Sequence, residues 1–69
     1  MHMVTITVNG ERRDFEQAIV IAQLVDRLGL TGKRIAIERN GEIVPRGQFG
    51  ATAIANGDRV EIVVAVGGG

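Results

Sequence analysis

Three Asn-Gly dipeptides, Asn9-Gly10, Asn40-Gly41 and Asn56-Gly57, cut this chain into short apolar runs and point to a strand-rich fold. Asn-Gly supplies the positive-φ positions that a tight hairpin turn demands. Before the first of them, Val4, Ile6 and Val8 alternate with Thr5 and Thr7, the period of a half-buried strand over Met3 to Val8. Glu11 to Phe15 is expected to return antiparallel, and its polar content puts it at a sheet edge. Arg34 to Arg39, with Ile35 and Ile37 on one face and Ala36 and Glu38 on the other, reads as a third strand ending at Asn40-Gly41. Glu42 to Val44 is a short fourth, closed by Pro45, which cannot donate to a ladder. After the turn at Asn56-Gly57-Asp58, Arg59 to Val66 gives the strongest strand signal. Val60, Ile62, Val64 and Val66 share one face and Glu61, Val63 and Ala65 the other, so both faces are partly apolar and a central position is expected.

Between Ala18 and Leu28 the period changes. Ile21, Leu24, Val25 and Leu28 fall on one face of an amphipathic helix, with Gln23, Asp26 and Arg27 opposite. Gly29 follows where a left-handed cap is needed. No Ser, Thr, Asp or Asn stands at Ala18, Ile19 or Val20 to cap the start, and the β-branched residues there lower helix propensity, so a late or frayed start is expected. Arg46 to Ile54 has no period and is expected to cross irregularly, with a helical turn that inserts Phe49 and Ile54 into the core. A chain of 69 residues supports one small domain, expected over 1–66 and followed by a flexible glycine tail at 67–69. With two Phe and neither Trp nor Tyr, its core must come from Ile, Val, Leu and Ala. A hairpin, a helix laid across one face, a second strand pair and a final strand placed beside the first describe an α+β fold of the β-grasp (ubiquitin-like) kind, a mixed sheet with one helix.

Several function classes lose support. Eight basic and eight acidic residues cancel, leaving no net field to attract nucleic acid or anionic lipid. No apolar run is long enough to span a bilayer and no secretory pattern opens the chain, so no membrane partner and a cytoplasmic location are expected; Met1-His2 reads as an expression remnant. There is no Cys, the single His is near the start, and no pattern buries two carboxylates together, so neither a catalytic constellation nor a metal site is expected. Gly67, Gly68 and Gly69 follow the last strand instead of preceding a helix, so they are not a phosphate loop. A glycine end is often an inert terminus. Its chemical alternative is a slim tether, reaching about 10 Å, that threads a partner's channel and presents the Gly69 carboxylate.

Taken together, Asn40-Gly41-Glu42-Ile43-Val44-Pro45-Arg46, the Asn56-Gly57-Asp58-Arg59-Val60-Glu61-Ile62-Val63 run and the closing Ala65-Val66-Gly67-Gly68-Gly69 closely resemble the sulfur carrier proteins of thiamin thiazole biosynthesis. The likeness spans Met3 to Gly69, and Ile21 to Leu30 matches the family's helix-to-Gly-Leu pattern. Phe49 stands where many members carry Trp, and the usual Thr helix cap is missing. The resemblance places the last strand between the first and third. It also implies a carrier that is not itself an enzyme and binds no cofactor of its own. A ubiquitin-activating-like adenylyltransferase, with its own ATP and magnesium, would adenylate Gly69. Sulfur from a cysteine desulfurase would make a thiocarboxylate, and thiazole synthase would consume it, with Gly67 and Gly68 threading the channel.

Strand phase puts Ala36, Val63 and Ala65 on the sheet face away from the helix, beside Val66 and the tail, a candidate docking patch whose bland alternative is scattered surface apolarity. Arg46 is a weaker candidate for a charged contact. The small subunit of molybdopterin synthase shares the same chemistry but commonly carries prolines before its glycines, where Val64, Ala65 and Val66 stand here. Carriers for tRNA thiolation or cysteine synthesis, a ubiquitin-like protein modifier and a passive binding module are the further alternatives.

Overall fold

The computed structural model describes residues 3–66. At the first two Asn-Gly turns, Asn9 and Asn40 have φ of 50° and 53°, and Gly10 and Gly41 have 83° and 85°. This doubly left-handed geometry follows the twist of a two-residue hairpin. Strand β1 (Val4–Val8) therefore pairs antiparallel with β2 (Glu11–Phe15), Val8 opposite Glu11. Strand β3 (Ile35–Arg39) pairs likewise with β4 (Glu42–Ile43), Arg39 opposite Glu42. Between the two hairpins lies β5 (Arg59–Val64), parallel to β1 through Thr7–Arg59 and Val8–Val60, and antiparallel to β3 from Arg39–Val60 to Ile35–Val64. The order β2-β1-β5-β3-β4 is that of a ubiquitin-like β-grasp sheet, with the polar β2 at an edge and the apolar β5 at the centre.

Helix α1 (Ile21–Arg27) starts late, as its uncapped sequence implies. The Gln23 side chain reaches back to accept the Val20 N–H at 2.9 Å. Two further end donors are satisfied by the crossing segment: the Ile21 N–H donates to the Thr52 carbonyl and the Ala22 N–H to the Phe49 carbonyl, each at 2.9 Å. The crossing begins with a 3₁₀ turn (Arg46–Gln48), and its far end is tied by a bridge between Val20 and Ala53 and by the Ile54 N–H donating to the Ile19 carbonyl. At the other end Gly29 takes φ 73°, its N–H donates to the Asp26 carbonyl, and the Leu30 N–H donates to the Val25 carbonyl. That pair of bonds is a Schellman closure.

Ile21, Leu24 and Val25 pack on Val4, Ile6, Val8, Ile37, Val60 and Ile62, with Ile19, Val44 and Ile54 closing the ends. Each such side chain stabilises the fold by about 1.5–3 kcal/mol before entropy is counted. Ile54 is buried and Phe49 packs partly buried against the same cluster, which is the insertion expected of the crossing.

The end of β5 departs from expectation. It stops at Val64, not Val66, and the two residues assigned to the core face are exposed, Val64 by 41% and Val66 by 98%. The reason is that neighbouring layers run out first: β1 ends at Val8, opposite Val60, and α1 ends at Arg27, so Val64 keeps only partial cover, in a groove it lines with Leu28 and Leu30. Among the described residues one backbone bond extends past Val64, from the Ala65 N–H to the Arg34 carbonyl at 2.9 Å. Strand β3 correspondingly starts at Ile35, one residue later than expected, and β4 ends before Val44, whose buried side chain turns into the core. Among the described residues no helix is long and apolar enough to cross a membrane.

Candidate functional site

The glycines at 67–69 lie outside the described residues, as does any placement of the Gly69 carboxylate. What is described is the strand that leads to them and how it is held. Past Val8, where β1 ends, the Asn9 side chain takes over the ladder. Its Oδ1 accepts the Ile62 N–H at 2.7 Å and its Nδ2 donates to the Ile62 carbonyl at 3.0 Å, while its backbone N–H donates to the Val60 carbonyl. At the start of β5, Asn40 does the same on the other side: its Oδ1 accepts the Arg59 N–H at 2.9 Å and its backbone N–H donates to the Arg59 carbonyl. Asn56 Oδ1 accepts the Thr5 N–H at 2.7 Å, tying the third turn to β1. Asn9 and Asn40 thus serve as backbone surrogates between strands, and Asn56 as a tie between a turn and a strand. The sequence reading gives them turn geometry alone; the further signal is the choice of Asn over Asp at positions 9 and 40, where the amide is both donor and acceptor.

Asp58 anchors the same region. It is 6% exposed, with Oδ2 accepting from Arg39 Nε at 2.7 Å and from the Ala55 N–H at 2.8 Å, and Oδ1 accepting from Asn40 Nδ2 at 2.9 Å. Burial pushes its pKa upward, but the Ala55 N–H, Arg39 and Asn40 together outweigh burial and hold it below the usual 3.8. Asp14 is also held below that value, by the Thr5 hydroxyl and then Arg12. Both carboxylates have structural partners, and no group of three His, Asp or Glu among the described residues is arranged to hold a metal.

Ala36 and Val63 stand directly opposite each other on β3 and β5, and both are exposed. Directly paired residues share a sheet face. Glu38 faces Glu61 in the next row, and Ile43, opposite Glu38, is 75% exposed on that face as well. Ala65 and Val66 are exposed just past the strand. Ile43 was not singled out in the sequence, although the alternation Glu42, Ile43, Val44 allows only one face to be buried. Arg46 is not brought to this surface. It lines a groove on the helix side with Lys33, Val25, Ile35 and Phe49, and its Nη2 donates to the Lys33 carbonyl at 3.4 Å.

A helix across one face of a mixed five-stranded sheet, whose central strand runs on toward a glycine end, defines a small ubiquitin-like β-grasp protein. Within that class the chain belongs to the ThiS family, whose pattern matches residues 6–69. A thiazole synthase of Paramagnetospirillum magneticum is 39% identical over 64 residues, which make up 93% of this chain and 20% of that protein. The chain therefore spans about a fifth of the length of that relative. An uncharacterised protein, ycf40, of Porphyra purpurea is 36% identical over 66 residues, 96% of this chain and 93% of that one. The crystal structure of the thiamine biosynthesis protein ThiS from Geobacter metallireducens superposes with a TM-score of 0.81 at 30% identity, covering 96% of this chain and all of that one.

Proposed function

We propose that this chain is a sulfur carrier for thiazole formation in thiamin biosynthesis and that the carboxylate of Gly69 carries the sulfur. The observation that carries this is the extent of the family match, which runs through Gly67 and Gly68 to Gly69. A carboxylate is a poor electrophile until one oxygen becomes a leaving group. A ubiquitin-activating-like adenylyltransferase supplies that activation: a Gly69 oxygen attacks the α-phosphorus of ATP and pyrophosphate leaves. The terminal sulfur of a persulfide, charged by a cysteine desulfurase, then displaces AMP. A thiol reduces the resulting acyl disulfide, becoming part of a new disulfide itself, and leaves the thiocarboxylate. Thiazole synthase takes the sulfur. ATP and magnesium belong to the adenylating partner, and this chain acts as a co-substrate.

The fold supports this division of labour. Hydrogen bonds on both sides fix β5, so docking the domain also aims the chain beyond Val64, and glycine at 67 to 69 presents no side chain to a narrow channel. In this reading Ala36 and Val63 on the open sheet face form the docking surface together with Ala65 and Val66, which are exposed just past β5.

Intact-mass measurement after incubation with the cognate adenylyltransferase, ATP and a persulfide source tests the proposal. An adenylate followed by exchange of one oxygen for sulfur is expected, and removal of Gly69 abolishes both. Unchanged mass with active partner present, or an isopeptide adduct to lysine in its place, overturns the carrier assignment.

A further inference from the structure

We infer that the groove beside the root of the tail seats an acidic segment with an apolar anchor side chain, carried by the adenylating partner at the mouth of the channel that receives the tail. This rests on the carrier function proposed above and assigns a second contact on the layer opposite the open sheet face.

The groove encloses about 220 Å³ between α1, the 30–33 loop and the crossing segment. Val25, Leu30, Ile35 and Phe49 give it an apolar lining, and all but Val25, which is buried, retain partial exposure. An apolar hollow of this kind takes an apolar side chain. Its charge is one-sided. Lys33 and Arg46 line it, no carboxylate does, and among the described residues neither cation has a carboxylate within ion-pair distance. The Lys33 carbonyl accepts from Arg46 Nη2 at 3.4 Å, which ties the guanidinium to the loop that carries the lysine. Two cations lining an apolar hollow complement an acidic segment.

Location and the order of the proposed reactions together select the partner. The residue after Lys33, Arg34, accepts the Ala65 N–H through its carbonyl, so the groove adjoins the point where the chain leaves the sheet. Any protein that admits the tail must lie against that end of the molecule, and the adenylating partner is the first to do so.

The test is ATP–pyrophosphate exchange by the cognate adenylyltransferase with wild-type carrier and with the double variant Lys33→Glu, Arg46→Glu, across a series of NaCl concentrations. The double variant is expected to raise KM for the carrier about tenfold with kcat unchanged and to flatten the salt dependence of KM, whereas Lys33→Arg, Arg46→Lys restores both. An unchanged KM in the charge-reversed variant overturns the groove assignment while leaving the carrier function standing. Absence of exchange with the wild-type carrier overturns the carrier function itself. Should circular dichroism show the double variant unfolded, amide chemical-shift mapping of the wild-type chain with added enzyme decides. Shifts at Gly32, Lys33 and Phe49 support the contact, and shifts confined to Ala36, Val63 and their neighbours overturn it.

Discussion

Asp58 shows how much one side chain can do in so small a fold. It is the one buried charged residue among those described, and it joins the turn at Ala55, the end of β3 at Arg39 and the turn residue Asn40. Asp58→Ala removes three contacts to three neighbours and leaves the Ala55 N–H and the half-buried Arg39 without their acceptor, which is expected to destabilise the fold by about 2–3 kcal/mol. Because the folded pKa lies below the unfolded one, the contribution of Asp58 is complete above the ordinary carboxylate value of 3.8 and is lost as pH falls through the folded pKa. Urea unfolding of wild type and Asp58→Ala from pH 7 down to pH 2 checks this. The gap between them should narrow only at the acid end, and a gap that widens on acidification contradicts the assignment. From sequence, Asp58 was legible only as part of an Asn-Gly-Asp turn, because its partners Arg39 and Asn40 lie 19 and 18 positions away. A local pattern carries no information about such pairing.

Among the elements, α1 was legible in its apolar face and its stop, and less so in its start. The helix period comes from the residues themselves, and Gly29 supplies a local closure. At the N-terminus the donors are met by carbonyls from Phe49 and Thr52, which no scan for a capping side chain detects. The two ends should therefore respond differently to substitution. At Gly29 a Cβ would meet nothing within 4 Å, so Gly29→Ala tests the φ of 73° alone. It is expected to cost about 1 kcal/mol, seen as a lower urea midpoint at unchanged slope. A neutral result would mean that the helix can end in another way. The end of β5 departs from its alternation for a related reason. Alternation assigns Val64 and Val66 to the core face, but burial needs a covering layer, which is partial at Val64 and missing at Val66.

For the molecule as a whole, the helix covers one face of the sheet and leaves the other open. That distinction was readable from strand phase, which put Ala36 and Val63 on the open side, where they face each other across β3 and β5. The same phase could not foresee that Arg46 lies on the opposite layer, since the crossing segment has no period to read. Val63 is 65% exposed, so Val63→Asp should leave thermal stability within about 0.5 kcal/mol of wild type while weakening binding to the proposed adenylating partner. Calorimetric titration alongside a melting curve separates the two effects, and equal affinity would remove the open face from the docking surface.

The placement of β5 also governs how the molecule bears load. Traction on the chain beyond Val64 acts along the axis of a strand bonded to β1 and β3 on its two sides, with the Asn9 amide extending the shorter of the two ladders. The bonds on either flank then share the strain in shear, where an edge strand peeled sideways would lose them one at a time. A protein that grips the end of this chain therefore pulls on its most firmly braced part.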